Sequence, residues 1–245
     1  MIPDTVASAI ANYRIKGGRQ FRFTVVKIPA SALRTALGAL CGASRIIVEE
    51  DRVYLGSLHK SEDLVARCLH TMSISGYGRF PDAEAVMDEI CAADGIVLEE
   101  MQRKAVLQAC ANRGGLLILN GQAGCGKTFT LNIIIKVLSE LYKRQGLPFS
   151  ARIMAPTGQA AQVAHRATGL PASTIHRALH IVVDQDTEAE TSISCDCVVV
   201  DEFSMVGINL AATLLSSIAG GTKTIIMGDF RQPVSYTHLR AHETK

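Results

Sequence analysis

No stretch of this chain is apolar for long enough to span a membrane. The longest such runs, Leu116 to Leu119 and Val198 to Val200, fall far short of the roughly 18 residues that a membrane helix needs. The amino terminus, MIPDTVASAIANYRIKGG, lacks the basic start, apolar stretch and small-residue cleavage site of a secretory signal, so a cytoplasmic location is expected. The seven cysteines are scattered singly, apart from Cys195 and Cys197. That spacing supports neither a disulfide framework nor a four-ligand zinc site and leaves reduced core thiols as the reading. A large excess of one charge is missing as well. The net charge of +2 does not by itself argue for a nucleic-acid partner, which needs only a local basic stripe. No internal repeat interrupts the chain. What remains is a globular composition of 245 residues, 48% hydrophobic and 20% charged, able to bury a full core in one large domain or two small ones.

Residues 21–28, FRFTVVKI, alternate as a short strand does, and Ser31 is placed to cap a helix through Leu40 that carries Leu33, Ala36 and Leu37 at helical spacing. RIIVEEDRVYL, 45–55, reads as two strands joined by an acidic turn at Glu50 and Asp51, so a helix followed by a two-stranded wing is expected. Ser61 is expected to cap a further amphipathic helix with Leu64, Val65, Cys68, Leu69 and Met72 on one face. Helices over 82–91 and 99–111 follow. From Gly115 the texture changes, because short β-rich runs (LLILN, ARIMA, CVVVD, TIIMGD) alternate with helical stretches. That alternation predicts an α/β fold with a parallel sheet buried on both faces. A domain boundary is expected near Gly95, giving a helical and winged region over 1–95 and an α/β domain over 96–232. The acidic stretch 184–194 is expected to be a loop, which would suit a hairpin excursion.

GQAGCGKT, 121–128, follows the strand Leu116 to Asn120 and opens a helix, the context that the phosphate-binding pattern requires. Glycines let successive main-chain amides point at phosphate oxygens, and the helix start adds its positive end. The loop from Gly121 through Gln122, Ala123, Gly124, Cys125 and Gly126 to Lys127, Thr128 and Phe129 is therefore the candidate nucleotide cradle, with the Cys125 thiol incidental. Lys127 is expected to reach the β and γ phosphates and the Thr128 hydroxyl to ligate magnesium. VVVDEFSM, 198–205, is an apolar strand ending in two carboxylates. Asp-Glu pairs after strands are commonly solvated turns, but beside a phosphate loop Asp201 suits a metal and Glu202 suits polarising an attacking water.

Together with IMAPTGQAAQVAHRATGLPASTIHRALH, 153–180, and IIMGDFRQ, 225–232, these motifs resemble the first motor domain of the RecD-like superfamily 1 helicases. The resemblance covers approximately 45–232 and is strongest from 98 onward. It implies a RecA-like P-loop NTPase sheet, here an incomplete motor preceded by a winged-helix-like region, and ATP with Mg2+ as cofactors. It also implies ATP-driven 5′ to 3′ movement on single-stranded DNA or 5′-tailed duplex DNA. In that family the segment matched by Pro156, Thr157 and Gly158 contacts the DNA backbone, and the region of His176 and Arg177 belongs with it. Residue types of this kind suit phosphates and sugars rather than base edges. By residue type alone Thr157 is a helix cap, and both readings are compatible; His176 and Arg177 could equally cover a helix face. LEEMQRKAV, 98–106, resembles the adenine-recognising segment, which makes Gln102 the base partner. GDFRQ resembles the third motif, in which Gln232 senses the γ phosphate. Phe203 departs from the family, which often has a small residue there.

After Gln232 the resemblance stops. Residues 233–244 match one reading frame of a common transposon-based sequencing adapter, and 233–245 are expected to be a non-native tail, a natural disordered terminus being the alternative. His238 and His242 lack a third ligand that would make them a metal site. With a second motor domain and its arginine absent, the chain by itself is expected to bind nucleotide weakly and turn over little. Two other classes stay open: the helicase half of a conjugative relaxase, and a nucleotide-switched DNA-binding module that does not translocate.

Overall fold

The computed structural model describes residues 30–49, 52–122, 124–181 and 192–229. The expected strand at 21–28, the turn at Glu50 and Asp51, Ala123, Gln232, the terminal stretch 233–245 and most of the acidic loop lie outside them. Contact density divides the chain into two units, 1–64 and 65–245.

In the first unit, α1 (Ala30–Gly42) leads into β1 (Ile46–Glu49) and β2 (Arg52–Leu55). The two strands pair antiparallel, Ile46 opposite Leu55 and Glu49 opposite Arg52, as the helix and wing pattern predicts. Helix α2 (Gly56–Ile74) begins directly from β2, so Ser61 lies inside it rather than capping it. Its start is set by backbone packing. Gly56 is buried, and a Cβ there would stand 2.2 Å from the Ser44 carbonyl oxygen.

The second unit is built around one sheet. A short antiparallel pair, β3 (Tyr77–Arg79) and β4 (Asn112–Arg113), brackets α3 (Ala83–Ala93) and α4 (Glu100–Cys110). After it come β5 (Leu116–Asn120), α5 (Lys127–Arg144), β6 (Ala151–Ala155), α6 (Gly158–Thr168), β7 (Ala172–Thr174) and α7 (Ile175–Ala178). The described chain closes with β8 (Cys197–Val200), a 3-10 turn (Phe203–Met205), α8 (Ile208–Ser217) and β9 (Lys223–Gly228). Strand order is β5-β9-β8-β6-β7, all parallel. Four of these strands are those expected. The three-residue β7 is additional, too short to carry a period of its own and defined by pairing Ala172, Ser173 and Thr174 with Ile153, Met154 and Ala155.

Alternate residues of the central strands feed two cores, as a sheet covered on both faces requires. Ile153, Val199 and Ile225 pack with Met87 of α3, Val106 of α4 and Ile134, Val137 and Leu138 of α5. Met154, Val198, Val200 and Ile226 pack with Leu214 and Leu215 of α8, Ile175 and Leu179, against which Val65, Cys68, Leu69 and Met72 of α2 also lie. Chain packing is continuous through Gly95, where the sequence pattern places a boundary. Val86 and Met87, upstream of it, are fully buried in the same core as the helix after the phosphate loop.

Candidate nucleotide and nucleic-acid site

Because all five strands run the same way, their carboxyl ends align along one edge, where open α/β sheets bind ligands. Asn120 of β5 is level with Gly228 of β9, and Ala155 of β6 with Thr174 of β7. The segments leaving the strands therefore meet at this edge: the loop 121–126 after β5, Asp229 after β9, Asp201 and Glu202 after β8, Pro156 and Thr157 after β6, and α7 after β7.

The loop is tied to the sheet at its start, where the Gly121 N–H donates to the Gly228 carbonyl at 3.3 Å. Gly126 is favoured by its backbone conformation, and Gly121 lies close to the Cys125 side chain. Gly126 caps α5 with φ 84°, a left-handed conformation that L side chains rarely adopt, and a Cβ there would stand 2.9 Å from Gln102 Nε2. At Gly121 a Cβ would stand 2.3 Å from the Cys125 sulfur. The Lys127 ammonium arches over the loop, donating to the carbonyls of Gly121 and Gln122, the latter at 3.0 Å. Thr128 and Phe129 are exposed at the helix start, Gln122, Gly124 and Cys125 are exposed in the loop, and α5 directs its first amides into the same space. A cleft of about 320 Å³ opens beside the loop, lined by Met101, Gln102 and Ala105 of α4, Leu119, Cys125 and Lys127.

Asp201 leaves the buried β8 with its N–H on the Met154 carbonyl at 2.8 Å, while its Oδ1 accepts from the Glu202 N–H at 2.9 Å. Burial pushes the Asp201 carboxyl above its ordinary value, opposed by that N–H and by the positive charge of Lys127. Glu202 takes up φ 51°, ψ 38°, a left-handed backbone held by a non-glycine residue. Such strain is sustained by its surroundings and clusters at functional sites. The donor set suits a hard dication: the Asp201 carboxylate and the Thr128 hydroxyl are both oxygen ligands. Asp229, 8% exposed, is a buried carboxylate at the same edge that the sequence reading passed over. Its signal was the one that marked Asp201, a carboxylate directly after a buried strand.

On the far side of the edge, Thr157 caps α6, its Oγ1 accepting from the Ala160 N–H at 3.2 Å. Thr174 does the same for α7, accepting from the Arg177 N–H at 3.2 Å. Pro156 is half-buried, Thr157, Gly158 and Arg177 are exposed and His176 is half-buried. The β6–β7 pairing thus brings together two segments that sequence separates. Gln232 is outside the described residues.

The sequence model of the family described as "AAA domain" matches residues 102–238, more than half of the chain. The chain belongs to the AAA domain family. Within it, the similarities run to RecD-like proteins. The ATP-dependent RecD2 DNA helicase of Deinococcus radiodurans is 29% identical over 198 residues, 79% of this chain and 26% of that protein. The RecBCD enzyme subunit RecD of Mycolicibacterium smegmatis is 32% identical over 201 residues, 73% of this chain and 34% of that protein. The chain thus spans about a quarter to a third of these relatives' length. A crystal structure of Bacteroides Pif1 bound to ssDNA overlaps 59% of this chain and 35% of that one, at 24% identity and a TM-score of 0.40. Among the described residues no helix is long and apolar enough to cross a membrane.

Proposed function

We propose that this chain belongs to an ATP-dependent DNA helicase that moves 5′ to 3′ on single-stranded DNA, with ATP and Mg2+ at the β5, β9 and β8 ends of the sheet edge and the DNA backbone at the β6 and β7 ends. The single observation that carries the reading is the division of that edge: phosphate loop and carboxylates on one side, the Thr157 and Thr174–Arg177 segments on the other. The RecD-like similarities support it. We place the protein in the cytoplasm as part of the same reading.

In this reading Lys127 exchanges its two carbonyl partners for β- and γ-phosphate oxygens. The glycine-bearing loop and the first amides of α5 hold the remaining oxygens. Asp201 and Thr128 hold the magnesium, which when bound neutralises charge on the phosphates. Glu202 orients the attacking water and accepts its proton. Gln232 senses the γ phosphate. Pro156, Thr157, Gly158, His176 and Arg177 contact phosphates and sugars, so binding is expected to be insensitive to base sequence and to weaken with salt.

Equilibrium binding of ATP and of single-stranded DNA tests the division. Lys127→Ala is expected to weaken ATP at least tenfold and leave DNA affinity within about twofold; Arg177→Ala is expected to do the reverse. Equal loss of both ligands in each variant would contradict the assignment. In the full-length parent, strand displacement on a 5′-tailed duplex is expected and is abolished by Lys127→Ala. Hydrolysis without displacement would instead indicate a nucleotide-switched DNA-binding module.

A further inference from the structure

Lys223 opens β9 at the sheet edge opposite the phosphate loop. It is level with Cys197 of β8, and its side chain points to the same face as Ile225 and Met227, into the core shared with α3, α4 and α5. Only 5% of the residue is exposed, yet among the described residues no hydrogen bond or ion pair reaches its ammonium. The neighbours supply no counter-charge. Cys110 and Cys197 flank it, but burial pushes both thiols up, Cys110 to about 12, so they are neutral at pH 7. Asp196, whose main-chain carbonyl accepts from the Lys223 N–H at 2.9 Å, turns its carboxylate to the Ser150 N–H and hydroxyl. Arg113, just before Gly114 and Gly115, is a second cation, held over the rings of Phe80 and Tyr142. An ammonium withdrawn from water in this way is unfavourable until an anion joins it. The nitrogen is not sealed off. Among the described residues the fully enclosed side-chain polar atoms without a partner are Arg113 Nε and Thr224 Oγ1, so Lys223 Nζ, which also lacks one, keeps contact with solvent. It lies where two residues without side chains meet: a Cβ on Gly115 would stand 3.6 Å from Nζ and 3.7 Å from the Gly76 Cα.

We propose that Lys223, with Gly76 and Gly115 around its nitrogen, forms a binding site for a small free oxyanion of the phosphate class. The ammonium offers a full charge and three N–H donors, which oxygen anions match, and no described group already uses them. A narrow mouth sets the size. With so little of the side chain exposed, a free ion reaches the nitrogen, while a phosphodiester flanked by its sugars is held off. The site is distinct from the phosphate loop. Strand β9 runs from Lys223 to Gly228, whose carbonyl accepts from Gly121, a separation of about 17 Å at the rise of a strand. Its failure would therefore leave the nucleotide reading intact.

Urea unfolding of the 245-residue chain at pH 7 tests this, with inorganic phosphate replacing chloride at constant ionic strength, in wild type, Lys127→Ala and Lys223→Met. Phosphate at about ten times its dissociation constant is expected to raise the folding equilibrium constant about elevenfold. The rise should persist in Lys127→Ala, whose phosphate loop lacks its lysine, and disappear in Lys223→Met. The order of stability then depends on the ion: Lys223→Met is the more stable chain in chloride, and wild type gains on it as phosphate is added. No rise in wild type, or an equal rise in Lys223→Met from general salt stabilisation, overturns the proposal. If Lys223→Met does not fold, reductive methylation of wild type, read by peptide mass spectrometry, decides. The same phosphate concentration is expected to slow labelling of Lys223 about tenfold and to leave the exposed Lys143 unchanged, and equal labelling of Lys223 with and without phosphate overturns the site. A single-stranded oligonucleotide is the last arm. Its affinity is expected to agree within about twofold between wild type and Lys223→Met; a loss of about tenfold in the variant would make Lys223 a DNA contact and overturn the free-ion assignment.

Discussion

Asp201 is where chemistry and stability pull apart. Its carboxyl is held above the ordinary value chiefly by burial. A raised carboxyl pKa means the folded state holds the proton more tightly than the unfolded one. The associated stability is present at acid pH and is lost as pH rises through the raised value. At pH 7 the ionised group is a liability in the protein without ligand, which the proposed metal would offset. Asp201→Asn keeps an oxygen for the Glu202 N–H and removes the charge. Its thermal unfolding midpoint is expected to rise at pH 7, by less than about 1 kcal/mol because solvent still reaches the group. The gain should vanish near pH 4, and magnesium-dependent nucleotide binding should fall at least tenfold. A lower midpoint at pH 7 would contradict the burial argument. Glu202 next to it stores strain of a different kind: its left-handed backbone, held by a non-glycine residue, costs on the order of 1 kcal/mol.

Strand β9 shows how completely one element can be buried. All six of its residues are buried, including Lys223 at 5% exposure at the end of the sheet opposite the site. Burial lowers the Lys223 pKa, partly countered by the neighbouring Cys110 and Cys197. A lowered lysine value means the folded state binds its proton less well than the unfolded chain. That contribution is favourable only above the ordinary lysine range and is lost as pH falls through the lowered value. At pH 7 the strand carries the desolvation cost. Lys223→Met, similar in length and apolar, is expected to raise the urea midpoint at pH 7 by the equivalent of about 1 kcal/mol, with the advantage shrinking toward pH 10.5. A midpoint that falls at pH 7 would mean the ammonium makes a contact worth more than its burial. Helix α5 is the counterpart on the functional side. Its core residues Ile134, Val137 and Leu138 are anchored against α3, α4 and the sheet, so its amino end, which frames the loop, starts from a fixed base.

Across the whole sheet, parallel strands convert order in space into order of function along one edge. A ligand that binds only the folded edge stabilises the fold by mass action. ATP with magnesium at about 100 times its dissociation constant is expected to raise the free energy of unfolding by about 2.7 kcal/mol. Lys127→Ala should flatten that response, and an unfolding midpoint independent of ATP in the wild-type chain would remove the nucleotide site. The loop Gly121–Thr128 was legible because its constraints are local: consecutive residues, a strand before, a helix after. Asp201 was legible because four buried residues in a row announce a strand and its end. Asp229 carried the same signal and was passed over. Other features had none. Strand β7 exists only by pairing with β6, and that pairing, made after the chain has turned through α6, is what sets the Thr174 segment beside Thr157. The apolar side of α3 would suit any partner, so a break at Gly95 was as consistent with its period as the shared core with α5 that the fold adopts. The burial of Lys223 beside Cys110 and Cys197 is likewise settled by neighbours distant in the chain. Residue chemistry and short-range periodicity were thus written in the order of amino acids, because each depends on residues a few positions apart. Which strand ends meet, and which polar groups lose water, depended on packing between segments far apart, and that only the folded sheet decides.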